Sequence, residues 1–157
     1  MNRWSKFRLL SWWERRLLFQ SLLLLPLNAL ALRFVSFKHW QSALARFSRI
    51  NKASDYKASD DTQAENRIEN ARATARIVRA AACHGAYRAK CLPQSLTLWW
   101  LLRRQGIESD LRFGARKEGR QMEAHSWVEF RGIPLNESHD VYQRFSPFEK
   151  LAIPAEE

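Results

Sequence analysis

Apolar positions along the chain change their period once, at Gly106. Before it they recur every three or four residues, the spacing of one helix face. After it they alternate, the spacing of a strand. Ser11-Trp12-Trp13-Glu14 fits a capping box, with Ser11 as N-cap and Glu14 reaching back, so a helix is expected from Trp12. The run 17–35 is apolar except for Gln20, Ser21, Asn28 and Arg33, with Pro26 in its middle. Phe37, Trp40, Leu44 and Phe47 keep helical spacing through 36–50. Residues 51–61 (NKASDYKASDD) are polar and read as a linker. Thr62-Gln63-Ala64-Glu65 is a second capping pattern. It predicts a helix whose Ile68, Ala71, Ala75, Val78 and Ala82 form one stripe. Alanines on that stripe allow close approach, most simply by the helix at Cys91. Cys83 is expected on or near the buried side as a structural thiol, and His84-Gly85-Ala86-Tyr87 ends the helix.

Residues 91–106 (CLPQSLTLWWLLRRQG) predict a buried helix with a cysteine at its mouth. Leu92, Leu96, Trp99 and Leu102 recur at helical spacing, as do Leu98 and Leu101. Pro93 suits the first turn, Arg103 and Arg104 the last, and Gly106 the stop. Ser109–Ala115 and His125–Phe130 predict two strands, with Gly119 in the turn between them and Arg131-Gly132 turning into Ile133-Pro134-Leu135. His125, Trp127 and Glu129 share one strand face; Ser126, Val128 and Phe130 share the other. Tyr142, Phe145, Phe148 and Leu151 suggest a short packed tail before an acidic end. The architecture expected is α+β and single-domain. Helices of 1–50 pack on a core of 62–157, in which the Cys91 helix lies on a small antiparallel sheet.

The run 17–35 admits three readings. Polar residues and a mid-run proline weaken a membrane span. Ala29-Leu30-Ala31 resembles a signal-peptide cleavage site, but Trp12, Trp13 and Glu14 are foreign to a signal leader. The preferred reading is a helical pair packed on the core, with contact to a membrane left open. Charge sharpens this. Of the net +10, residues 1–50 hold nine Lys/Arg against one acid, or +8; residues 91–157 hold nine against ten, or −1. Basic residues among Trp, Phe and Leu suit a membrane surface or an anionic partner better than a nucleic-acid groove. The two cysteines make no disulfide framework or zinc spacing, so a reducing compartment such as the cytoplasm is expected, with no metal and no cofactor.

A thiol at a helix N-terminus is acidified by the N–H dipoles. A lone cysteine is more often plain core, but here a histidine follows at the start of a strand, then an acid after the next turn. That is the order of a Cys–His–acid hydrolase. Cys91 attacks as thiolate, His125 moves the proton, and an acid fixes the imidazole. The N–H groups of Cys91 and Leu92 face a developing oxyanion.

The wording of residues 91–137 adds to this. Cys91-Leu92 with Ser95-Leu96, Leu101-Leu102-Arg103-Arg104, Gly106-Ile107, Phe113-Gly114-Ala115-Arg116, Ala124-His125-Ser126-Trp127-Val128-Glu129, Gly132 and Leu135-Asn136 resemble the transglutaminase-like cysteine proteases of lasso-peptide biosynthesis. These are the leader peptidases that form the C-terminal half of the fused B protein. The resemblance implies a transglutaminase-like (papain-like) cysteine protease core, with Cys91 as nucleophile and His125 as general base and acid. The family's third member is the aspartate of an Asn-Asp pair; this chain has Asn136-Glu137. Glu137 is the expected third residue and Asp140 the alternative. Glu129 ranks last, because four residues along a strand span about 13 Å. Family members also often carry arginine where Gln94 stands.

The resemblance further implies a precursor peptide (leader plus core) as substrate, a separate leader-binding protein to deliver it, and a macrolactam cyclase acting afterwards. Two other functions fit the residues: acyl transfer to an amine from the same acyl-enzyme, and a non-catalytic adaptor docking a partner or membrane through residues 1–50.

Overall fold

The computed structural model describes residues 11–47, 61–85 and 87–148. Helix α1 is Trp12–Phe34, α2 Phe37–Phe47, α3 Asp61–His84 and α4 Cys91–Arg104. Strands β1 (Asp110–Glu118), β2 (Gln121–Phe130) and β3 (Ile133–Pro134) follow, then a short α5 (Val141–Arg144) and β4 (Ser146–Pro147). Most of the linker expected at 51–61, the capping side chain of Thr62 and the acidic end lie outside the described residues. Asp61 is already the first residue of α3.

Both halves of the Ser11 capping box form: the Glu14 N–H donates to Ser11 Oγ at 3.2 Å, and the Ser11 N–H to Glu14 Oε2 at 2.8 Å. Helix α1 runs unbroken through Pro26. Pro26 is exposed, outside the packed face of the helix. Leu17, Ser21, Leu25 and Asn28 hold the opposite face in the core on both sides of it. The break comes at Val35, whose extended backbone ends α1 before α2 begins.

Helix α4 is the centre. It packs on α1, α3 and β2, and eight of its fourteen residues are buried. Gly106 stops it as expected, at φ +71°. The Gly106 N–H donates to the Arg103 carbonyl at 3.0 Å and the Ile107 N–H to the Leu102 carbonyl at 2.9 Å, the paired bonds of a Schellman end. The stripe of α3 is buried at Ala71, Ala75, Val78 and Ala82 and faces both α1 and α4. Cys83 is a correction. It is exposed, because the buried arc widens toward Thr74, Ile77 and Ala81, away from it.

The sheet runs β3-β2-β1-β4, each neighbour antiparallel. Arg131 and Gly132 both take positive φ (51° and 76°), which turns β2 into β3 in two residues. One sheet face, with Leu111, Val128 and Phe130, joins the main core under α4. The other holds a small cluster of Trp127, Val141 and Phe145.

Candidate active site

Helix α4 delivers Cys91 at its mouth. Lys90 caps in extended geometry (φ −72°, ψ 173°) but gives no side-chain hydrogen bond. Pro93 has no N–H to satisfy, and the Gln94 N–H already reaches the Lys90 carbonyl at 3.3 Å. The N–H groups of Cys91 and Leu92 are therefore left at the mouth without a side-chain cap. The Gln94 side chain donates from Nε2 to the Ala89 carbonyl at 2.7 Å and braces the approach to the helix.

Three elements are tied one residue-turn further in. Ser95 Oγ donates to the Ser126 carbonyl at 2.9 Å, fixing α4 against β2. Asn136 Nδ2 donates to Ser95 Oγ at 3.1 Å, and its Oδ1 accepts the Val128 N–H at 2.8 Å. This sets the position of the next residue, Glu137, relative to both Cys91 and His125.

His125 lies at the middle of β2, opposite Gly114 on β1. Its Nε2 meets Glu137 Oε1 at 2.9 Å, which leaves Nδ1 for Cys91. The interaction of Cys91 with His125 is the chief influence on both groups. It holds the thiol below its ordinary pKa and the imidazole above its own, against burial that acts in the opposite sense on each. Ser126 lowers the thiol further, through its hydroxyl and its backbone. Glu137 raises the imidazole further. These shifts favour a thiolate–imidazolium pair that titrates as one unit.

Glu137 has a second partner. Its Oε2 accepts from the Arg144 guanidinium at 3.0 Å, so one carboxylate is held between an imidazole and a cation. Asp140 is directed elsewhere: it takes a hydrogen bond from Ser138 and an ion pair with Arg144 at 3.1 Å, and both draw its pKa down. Of the two acids expected as third member, Glu137 reaches His125 and Asp140 supports the arginine that holds Glu137. Glu129 is enclosed and engaged. Trp127 Nε1 and the Tyr142 hydroxyl each donate to its Oε1 at 2.7 Å, and Arg112 Nε to its Oε2 at 3.0 Å. Burial and this carboxylate push the Tyr142 hydroxyl up to about 12.

The imidazole lies on an aromatic bed. Phe145 is stacked against it at 4.8 Å between centroids and Trp127 at 6.3 Å. Gly114 makes room for that bed: a Cβ there would sit 3.0 Å from the Trp127 ring and 3.0 Å from the Ser146 carbonyl.

The model of the transglutaminase-like superfamily matches residues 34–150, well over half of the chain. The chain belongs to the transglutaminase-like superfamily. No curated protein and no solved structure matches it. Transglutaminase-like proteins are typically cysteine hydrolases or acyltransferases, and the Cys91–His125–Glu137 alignment is chemically suited to either. Within this transglutaminase-like chain, Ser126, Phe145 and Arg144 were not marked by the sequence as part of the site. Strand alternation puts Ser126 on the α4 side of β2, and that signal was available. Phe145 and Arg144 reach the site only through the return of the chain after β3, which no local pattern encodes.

Proposed function

We propose that this chain is a cysteine peptidase that removes the leader from a ribosomally made precursor peptide during lasso-peptide maturation. The observation that carries the peptidase reading is the grouping of Cys91 and His125, each displacing the other's pKa, with Glu137 2.9 Å from the imidazole Nε2. The wording of residues 91–137 supports the leader-removal role, and a papain-like order of parts, nucleophile on a helix and histidine on a strand, agrees with it.

The Cys91 thiolate attacks the carbonyl carbon of the amide joining leader to core. The C=O electron pair moves to oxygen, which accepts from the Cys91 and Leu92 N–H groups. Imidazolium His125 gives its proton to the departing amine of the core as the C–N bond breaks. The leader stays as a thioester on Cys91. His125, now neutral, takes a proton from water as that water attacks the thioester carbonyl, and the sulfur leaves. Glu137 keeps Nε2 protonated and the ring oriented throughout.

A separate leader-binding protein presents the precursor, and a macrolactam cyclase consumes the freed core. The reading requires no cofactor. The test is incubation of the chain with a precursor peptide and its leader-binding protein, followed by mass spectrometry. Leader and core masses that sum to precursor plus water, absent with Cys91→Ala, are the expected result. Leader masses increased by an added amine in place of water would identify an acyltransferase. No Cys91-dependent product would leave the adaptor.

A further inference from the structure

Helix α1 is apolar on two opposite sides, and the fold uses only one. Leu17, Ser21, Leu25 and Asn28 are buried. Diametrically opposite, Trp12, Phe19, Leu23, Leu27, Leu30 and Phe34 follow one another at helical spacing. Phe19, Leu23, Leu30 and Phe34 are between 57% and 77% exposed. Residues 17–32 hold no charged side chain, a stretch of about 24 Å along the axis. A stripe this long is well beyond the isolated apolar residues of an ordinary surface.

Charge says what covers it. Arg15 and Arg16 stand at one end of the uncharged stretch and Arg33 at the other, with Lys38 just beyond. Glu14, the one acid of residues 1–50, is spent in the Ser11 capping box. Arg16 lies 5.9 Å over the Trp12 ring. Beside it, Arg16 and Arg104 are among the residues lining an open hollow of about 190 Å³ with Leu17 and Leu101, which adds cationic side chains at this end of the stripe. An apolar centre with aromatic and cationic ends is the pattern of a helix lying in an anionic lipid interface.

By length and composition α1 is also able to cross a bilayer. Its buried face excludes that while the fold persists. Asn28 Nδ2 donates to Thr97 Oγ1 at 2.9 Å, and Trp40 Nε1 donates to Asn28 Oδ1 at 2.9 Å. A spanning α1 would strip these bonds and uncover α4. We propose that α1 rests flat in the headgroup region of an anionic bilayer, exposed stripe inward, while its other face stays on the protein. The membrane then lies across α4 from the sheet. This inference is independent of the peptidase reading, since nothing in it requires cleavage.

The experiment is flotation of the full chain with phosphatidylcholine vesicles, with and without phosphatidylglycerol. Flotation only with phosphatidylglycerol, weakened by salt and reversed by alkaline carbonate, is the expected result. Leu23→Ser/Leu27→Ser/Leu30→Ser should lower partitioning by about tenfold or more. Arg16→Gln/Arg33→Gln should lower it several-fold, and Met122→Ser, on the far hairpin, should leave it unchanged. The arginine pair carries the test if the leucine triple does not fold. No flotation, flotation indifferent to both variants, or resistance to carbonate would each overturn the proposal. So would a concentration-dependent dimer abolished by the leucine triple, which would show that protein covers the stripe.

Discussion

The two ends of the buried half of β2 hold carboxylates in opposite circumstances. Glu129, at one end, is 4% exposed and receives hydrogen bonds from Trp127, Tyr142 and Arg112. Near His125, at the other, Glu137 keeps a quarter of its side chain open and shares its charge between an imidazole and Arg144. The first carboxylate is satisfied on every side and serves to fasten the hairpin to the tail. The second is satisfied only as far as orientation requires, and the imidazole beside it is raised above its ordinary pKa. Enclosure gives rigidity, and partial enclosure leaves protons able to move.

The sharpest break of that comparison is at the reacting end. Cys91→Ala or His125→Ala should cut precursor cleavage by a factor on the order of 10⁴ or more, with the thermal melt little changed, as read by mass spectrometry and circular dichroism. Glu129→Ala should do the reverse. It deprives three donors of their acceptor and should cost about 3 kcal/mol of stability in a urea melt. Glu137→Gln keeps the shape and removes the charge. Cleavage should fall about 100-fold, with little loss of stability. Gly114→Ala presses on the Trp127 ring and the Ser146 carbonyl under the imidazole. A cost of about 1–3 kcal/mol is expected.

The smallest effect sharpens the electrostatics. Alkylation of Cys91 followed against pH should show an inflection below the free-thiol value of about 8.5, since the imidazolium favours the thiolate. His125→Ala should move it up. Glu137→Gln should leave thiolate formation but bring the loss of the imidazolium proton to lower pH, because the carboxylate that raised His125 is neutral. The ion pair then survives over a narrower range, shortened from its basic side. Exposed Cys83, alkylated in the same sample, is the internal control.

Much of this was legible in the sequence. The Ser11 box, the Gly106 stop and the turns at Gly119 and Gly132 are local signals, and each formed where expected. Strands β1 and β2 ran past their expected ends because the hairpin 116–123 is held by its own charges: Arg116 reaches Glu118 and Glu123. Cys83 misled because a stripe gives the centre of a buried arc but not its width. At the site, Cys91 and His125 could be named from order and wording. The choice between Glu137 and Asp140 rested on Ser95 and Asn136, which set the loop, and on Arg144, seven residues on.

Helix α1 shows what one amide can do in a uniform surface. On its packed face Leu17 and Leu25 are apolar and Ser21 donates to the Leu17 carbonyl of its own helix, so none of the three selects a partner on α4. Only one placement lets the Asn28 amide give to Thr97 and receive from Trp40 at once. Every other placement strands it in the dark, unpaired. The greasy contact supplies adhesion without an address, and Asn28 supplies the address. Because Thr97 sits on the helix that carries Cys91, the same pin indexes the outer helix to the nucleophile.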